Sequence, residues 1–392
     1  MNKPNAAHIA RDSRPEHELL LCCTRTRCVQ DVAERLRTLA AQSIDWNYLF
    51  QLARRHSIVP IVFRQLQTHA ADLVPDEQLV KFKNSYQENV ARNLLLSSEL
   101  STLMRSFTDA GIESLPFKGP ALALTAYGDL SLRRFVDLDV IVKKEDLFRA
   151  REILMNAGYQ SSLRLDDDQQ SALLHSQHCV QFRRDNGRMI FELHWNVASD
   201  LFAAPVSAKD FWERLIDIKL NGQIVKSFSA DDLLFALCVH GSRHIWERLS
   251  WICDVAELIQ RQQLDWTALM HRATKTDCER MFYLGLYLAE QLLGTQLPSE
   301  VRSKIQNDDY LQMLAHGIAG RLFSGTEHIP ATSGQVFRFN FSLRKSWRGR
   351  ARYFAFTLKP KDVDLSGVWL PRPLYFAYYL VRPMRLFVFD KR

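Results

Sequence analysis

Apolar positions recur at three- and four-residue spacing through the first third of the chain. "VQDVAERLRTLAAQ" and "WNYLFQLARRH" both carry them, and Pro75-Asp76 opens a long amphipathic run ending near Ala110-Gly111. That period lays one apolar stripe along a helix, so residues 28–110 are read as helical, with glycine suited to the last cap. The period then changes. "GIESLPF" reads as a short strand, "KGPALALTAY" as a turn and helix, and "FVDLDVIV" (residues 135–142) as a strand, while "KEDLFRAREILMNAG" is a helix closed by Gly158. "HCVQFRR" and "MIFELHWNV" flank Asn186-Gly187, a strong hairpin signal. Helical spacing returns from Ser229 to about Gly325. The pattern predicts an α+β chain: a small α/β unit over residues 111–228, between a helical region at 28–110 and a helical domain at 229–330. Residues 1–27 read as a disordered leader without the apolar core of a secretory signal, and 331–392 as a separate tail.

The strand at 135–142 contains two carboxylates, Asp137 and Asp139. Strand geometry points both to one face, about 6.6 Å apart at the backbone. Burying an unpaired carboxylate costs several kcal/mol, so the pair needs something positive. The spacing alone admits two partners: neighbouring Arg133 and Arg134, or a hard divalent cation held by oxygen ligands.

The flanking segments add to this pair. Lys118-Gly119 falls between a strand and a helix, with Pro120 fitting the first helical position. Outward amides there, with the Lys118 charge, suit a phosphate. In "MIFELHWNV", alternation puts Ile190, Glu192 and His194 on one face, and Glu192 is a third acid in an otherwise apolar strand. His194 is the better candidate for a functional imidazole, and His178 reads as structural. His240 and His244 share a helix face at i, i+4, with Asp254 one helix on to orient one of them. A second metal site, a pocket wall and a structural pair all fit that spacing. Trp195, Trp246 and Trp251 read as core.

The order KG, then R-x-x-x-D-x-D (Arg133 to Asp139), then E-x-H-W (Glu192 to Trp195) resembles the polymerase-β-like nucleotidyltransferase superfamily. It is most similar to a bacterial branch of uncharacterised nucleotidyltransferases, with "HGSRHIWERLSWICDVAELI" (240–259) resembling that branch's downstream motif; the likeness covers roughly residues 30–325. The resemblance implies a small mixed sheet and a two-metal site using Mg²⁺ or Mn²⁺. Asp137 and Asp139 match the metal-binding pair. Glu192 matches the third carboxylate, which helps hold one metal and can activate an acceptor hydroxyl. Gly119 matches the phosphate-contacting glycine. Lys118 or Arg133 would steady the triphosphate, Arg133 reading equally as a strand-end ion pair, and His194 would touch phosphate or acceptor. The implied reaction moves an NMP from an NTP to a hydroxyl acceptor with release of pyrophosphate. The superfamily usually has Gly-Ser or Gly-Gly where this chain has Lys118-Gly119-Pro120. That departure favours the alternative of a non-catalytic nucleotide-binding module.

Composition alters this picture at one end only. At 47% apolar and 24% charged residues the chain is that of an ordinary folded protein, and no window is long and apolar enough to span a bilayer. Its net charge is +7, yet residues 331–392 hold 13 Lys and Arg against 3 Asp, a balance of +10 that leaves −3 for the remainder. In that tail the basic residues interleave with 14 aromatics. The pattern suits packing on the helical domain, an anionic membrane surface or, less well, single-stranded nucleic acid. The seven cysteines, at 22, 23, 28, 179, 238, 253 and 278, include no C-x-x-C pair and read as small buried hydrophobes in a reducing compartment, implying neither zinc nor disulfides. The expected location is the cytoplasm, with peripheral contact at the inner membrane if the tail supplies it.

Overall fold

The computed structural model describes residues 14–27, 29–161, 179–195, 211–327 and 330–358. Helices α1 (Pro15–Cys22), α2 (Gln30–Ala40), α3 (Trp46–Arg55), α4 (Val59–His69) and α5 (Asp76–Asp109) come first. Strand β1 (Ser114–Pro116) and a four-residue helix α6 (Gly119–Leu122) follow, the latter continuing into a π turn at Ala123–Tyr127. Next are β2 (Leu138–Val142), α7 (Leu147–Asn156), β3 (Gln160–Ser161), β4 (Cys179–Arg184), β5 (Met189–His194), β6 (Ile216–Leu220) and β7 (Gln223–Ser227). The C-terminal half adds α8 (Ala230–Arg243), α9 (Leu249–Arg261), α10 (Trp266–Lys275), α11 (Glu279–Leu293), α12 (Ser299–Gln306), α13 (Asp309–Leu322), α14 (Ser333–Ser342) and α15 (Trp347–Thr357).

The architecture is α+β. One sheet runs β1-β2-β5-β4-β3, with β2 and β5 parallel and the other pairs antiparallel, and β6-β7 form a separate hairpin. The β4–β5 hairpin turns through Asp185, Asn186 and Gly187, which all take positive φ (54°, 54° and 82°). Aspartate, asparagine and glycine tolerate that region best.

Alternation along the strands divides the sheet into two faces. Leu138, Val140, Val142, Phe191 and Leu193 point into a core closed by Leu100, Met104 and Phe107 of α5 and Leu147 and Leu154 of α7. Asp139 and Ile141 point the other way, and Ile141 joins a second, larger core built from helices of both ends of the chain. That second core begins earlier than the sequence predicts. Over its described part the expected leader 1–27 is corrected: α1 is helical and Leu19 and Leu20 are fully buried in the helical core. The apolar trio Leu19-Leu20-Leu21 outweighs the polar composition around it. Residues 1–13 lie outside the described residues, as does the second half of the predicted tail; its first half forms α14 and α15, which expose Trp347 and Phe354. Among the described residues, no helix is long and apolar enough to cross a membrane.

Besides this apolar packing, a buried polar network fastens the helical side to the α/β unit. Asp254 on α9 is 0% exposed and accepts from Arg133 Nε (2.8 Å), Arg133 Nη2 (3.0 Å) and the Tyr127 hydroxyl (2.8 Å). Arg261 donates to the carbonyls of Ala126 and Tyr127, and Gln262 to that of Thr125. Gly128, at φ 69°, leaves the space taken by the Arg261 guanidinium, so any Cβ there would collide with it. Removing one side of a buried ion pair strands the other charge, at a typical cost of about 3–5 kcal/mol. We expect Asp254→Ala to lower unfolding stability by that order in urea titration, and Arg133→Met/Asp254→Leu to lose much less. Equal losses in the two variants would show that the ion pair itself is not what holds the parts together.

Candidate functional site

Chain alternation and the parallel register together build the site. Asp139 on β2 lies directly opposite Glu192 on β5, and Cys179 on β4 lies opposite His194 on β5. Asp139, Glu192 and His194 therefore share the sheet face turned toward the helices. His194 Nε2 is 3.1 Å from Asp139 Oδ1 and 3.4 Å from Glu192 Oε2. Gln181 Nε2 donates to Glu192 Oε1 at 3.3 Å.

The predicted strand 135–142 is shorter than expected, beginning at Leu138, so Asp137 sits on the bend before it and Val136 is 39% exposed. Asp137 still turns into the same cleft as Asp139. Phe117 N donates to Asp139 O (3.0 Å), extending the β1–β2 pairing and bringing Lys118 Nζ to 3.8 Å from Asp139 Oδ1. Gly119 takes φ 51°, and a Cβ there would stand 3.4 Å from the Asp137 carbonyl oxygen, so glycine is the residue this crossing accommodates.

The electrostatics separate the two aspartates. Burial pushes the Asp137 carboxyl up to about 6, reinforced by the nearby Asp139 and Glu192 charges and only partly countered by Lys118 and Arg133. Burial also opposes the charge of Asp139, but Lys118 and the His194 hydrogen bond outweigh it and hold that carboxyl well below the usual range. Burial disfavours the charged form of His194, and its hydrogen bonds to Asp139 and Glu192 more than offset this, so its pKa is raised. The chain's own side chains therefore supply counter-charges to Asp139 and leave Asp137 repelled.

The opposite wall comes from the helices. A cleft of about 870 Å³ runs between the carboxylates and Arg54, His240, Arg243, His244, Arg248 and Trp251. His240, His244 and Trp251 form one aromatic cluster, with ring centroids 4.7–5.5 Å apart. Burial and nearby cations push both imidazoles down, His244 to about 3, so they are neutral. Of the three readings of this pair, the structure places it in the pocket wall. Asp254 does not orient either ring: its oxygens hold Arg133 and Tyr127. Arg133, read from sequence as either a triphosphate contact or a strand-end ion pair, has its half-buried guanidinium engaged by Asp254, whose charge outweighs the cost of burial. Trp246 and Trp195 are core, as read, whereas Trp251 is half-buried in the cleft wall. Arg54, Arg134 and Arg248 stand exposed at the cleft's edge. His178 lies outside the described residues.

Residues 42–294 match a family model described as an uncharacterised nucleotidyltransferase. The chain belongs to this family. The match spans the acidic strand, Glu192 and the helical wall, and thus the whole cleft except Thr326. No curated protein matches the chain. Among solved structures it is similar to an antigenic nucleotidyltransferase-like protein from Paracoccidioides brasiliensis, at 16% identity and a TM-score of 0.32, over 56% of this chain and 91% of that one. So loose a superposition carries no argument about the site.

Cys179 was missed among the cysteines read as inert. It is half-buried in the cleft, with a ligand atom within 4.8 Å of those of Glu192 and His194. Counting back from the Asn186-Gly187 turn puts Cys179 opposite His194, and that register was the available signal.

Asp137 gives a stability prediction. Its pKa is higher folded than unfolded, so ionisation disfavours the folded state, and the penalty grows as pH rises from the unfolded value near 4 to about 6. In chelator, Asp137→Asn is expected to melt several degrees above the parent at pH 7–8, the advantage vanishing below pH 4. A thermal-shift series across pH reads this directly, and no gain at pH 8 would mean the carboxyl is not repelled.

Proposed function

We propose that the protein transfers an NMP from an NTP to a hydroxyl acceptor, releasing pyrophosphate, with Mg²⁺ or Mn²⁺ as the cofactor. Family membership gives a nucleotidyltransferase. The observation that carries the finer reading is the convergence of Asp137, Asp139 and Glu192 in one cleft, with Asp137 repelled by its two neighbours. Three hard oxygen donors fit a hard dication, and a carboxyl raised by burial and by like charges is one that such an ion relieves.

Asp137, Asp139 and Glu192 would hold the ion. Bound there, it supplies charge neutralisation for the phosphoryl group under attack. The remaining roles belong to the chain. Lys118 and the Gly119 crossing face the triphosphate, and Glu192, 28% exposed, accepts the proton of the attacking hydroxyl. The neutral aromatic cluster of His240, His244 and Trp251 offers an apolar wall to the substrate, and the arginines at the cleft's edge favour one that carries phosphate. His194 orients Asp139 and Glu192 rather than acting on phosphate directly.

One observation favours a second reading, a nucleotide-binding module that does not turn over. The Lys118 ammonium lies beside Asp139, where a cation would otherwise sit, and it belongs to the Lys-Gly-Pro stretch that departs from the superfamily pattern. Contact with an anionic membrane through residues 331–392 is compatible with either reading, and the exposed Trp347 on α15 supports it.

Calorimetry of each NTP with Mg²⁺ tests the main reading. Binding should require the metal and weaken at least tenfold in Asp137→Asn/Asp139→Asn, with the folded state retained by circular dichroism. Metal-independent binding that survives this double substitution would support the non-catalytic module, and no binding of any NTP would overturn both.

A further inference from the structure

The floor of the cleft contains a second donor set of different chemistry. Cys179, Glu192 and His194 each bring one ligand atom within 4.8 Å of the other two. The set is created by register: Cys179 is paired with His194 across the β4–β5 hairpin, and Glu192 is two residues from His194 on the same face. Three strand positions thus bring sulfur, nitrogen and oxygen near one another, and the β4–β5 register sets that placement. The imidazole is also held by a carboxylate, Asp139 at 3.1 Å from Nε2.

The donors discriminate between cations. Mg²⁺ selects oxygen ligands and retains water, whereas a thiolate with an imidazole and one carboxylate selects Zn²⁺ and similar borderline-soft ions in a tetrahedral shell. We propose that Cys179, Glu192 and His194 form a binding site for a thiophilic divalent cation, Zn²⁺ in class, with water or substrate in its fourth position. Zinc–sulfur and zinc–nitrogen bonds of about 2.3 and 2.0 Å bring ligand atoms closer than 4.8 Å, so the three side chains draw together by small rotamer adjustments. Glu192 belongs to both donor sets. The regulatory consequence rests on the function proposed above: an ion on Cys179 and His194 would withdraw Glu192 from acceptor activation, so zinc would inhibit transfer.

Cobalt titration tests the site without reference to catalysis, because Co²⁺ bound to a thiolate gives a near-ultraviolet charge-transfer band that oxygen-only sites lack. The parent protein should develop this band at one equivalent, and Zn²⁺ should bleach it. Cys179→Ser should abolish the band, and His194→Asn should weaken cobalt binding at least tenfold. Asp137→Asn/Asp139→Asn should keep it, which separates this set from the hard-ion site. No band in the parent at millimolar cobalt overturns the proposal even if a variant fails to fold. A band that persists in Cys179→Ser, or is lost in the double aspartate variant, overturns it as well. None of these outcomes depends on whether Mg²⁺ supports nucleotidyl transfer.

Discussion

The buried pair between Asp254 and Arg133 is the constraint on which the rest of the site depends. A fully buried carboxylate is tolerated only when its oxygens are satisfied, and here two guanidinium nitrogens and a tyrosine hydroxyl do so. The pair links α9 to the segment that leads into Asp137 and β2. It thereby fixes the distance between the aromatic wall and the acidic floor, and so the width of the cleft. A pair this buried adds little net stability compared with apolar residues of equal volume, but it strongly penalises any other docking of the two parts.

On the floor, a single register decides which side chains meet. Parallel pairing of β2 with β5 puts Asp139 against Glu192, while β4 brings Cys179 and Gln181 beside the same row. A slip of one residue would turn all of them into the sheet's other core and expose Phe191 and Leu193. The apolar face that packs on α5 is thus what keeps the polar face in register.

Much of this was legible in the sequence. The β4–β5 hairpin follows from Asn186-Gly187, the acidic face from alternation in "MIFELHWNV", and the helical flanks from their spacing. The family is legible from the spacing of Asp137, Asp139 and Glu192. The rest depended on contacts between segments far apart in the chain. Arg133 was read against the carboxylates beside it or a triphosphate, because its partner, Asp254, is 121 positions away. Cys179 looked inert because its burial was inferred from its neighbours along the strand rather than from those across it. α1 looked like a leader because a short apolar run in polar surroundings acquires meaning only when a core elsewhere receives it.

That core has a bearing on how the chain is made. α1 packs with α11, and His56 Nε2 lies 2.9 Å from the Leu322 carbonyl oxygen, 266 positions onward. At synthesis rates of about 5–20 residues per second, the first four helices emerge tens of seconds before the surfaces that cover them. During translation they present uncovered leucines, and the α/β unit can assemble first, closing on the long helix α5 while the ribosome is still at work. The first four helices and the helices from α11 to α13 then meet last, so the nascent chain needs shielding from its neighbours until those later helices arrive.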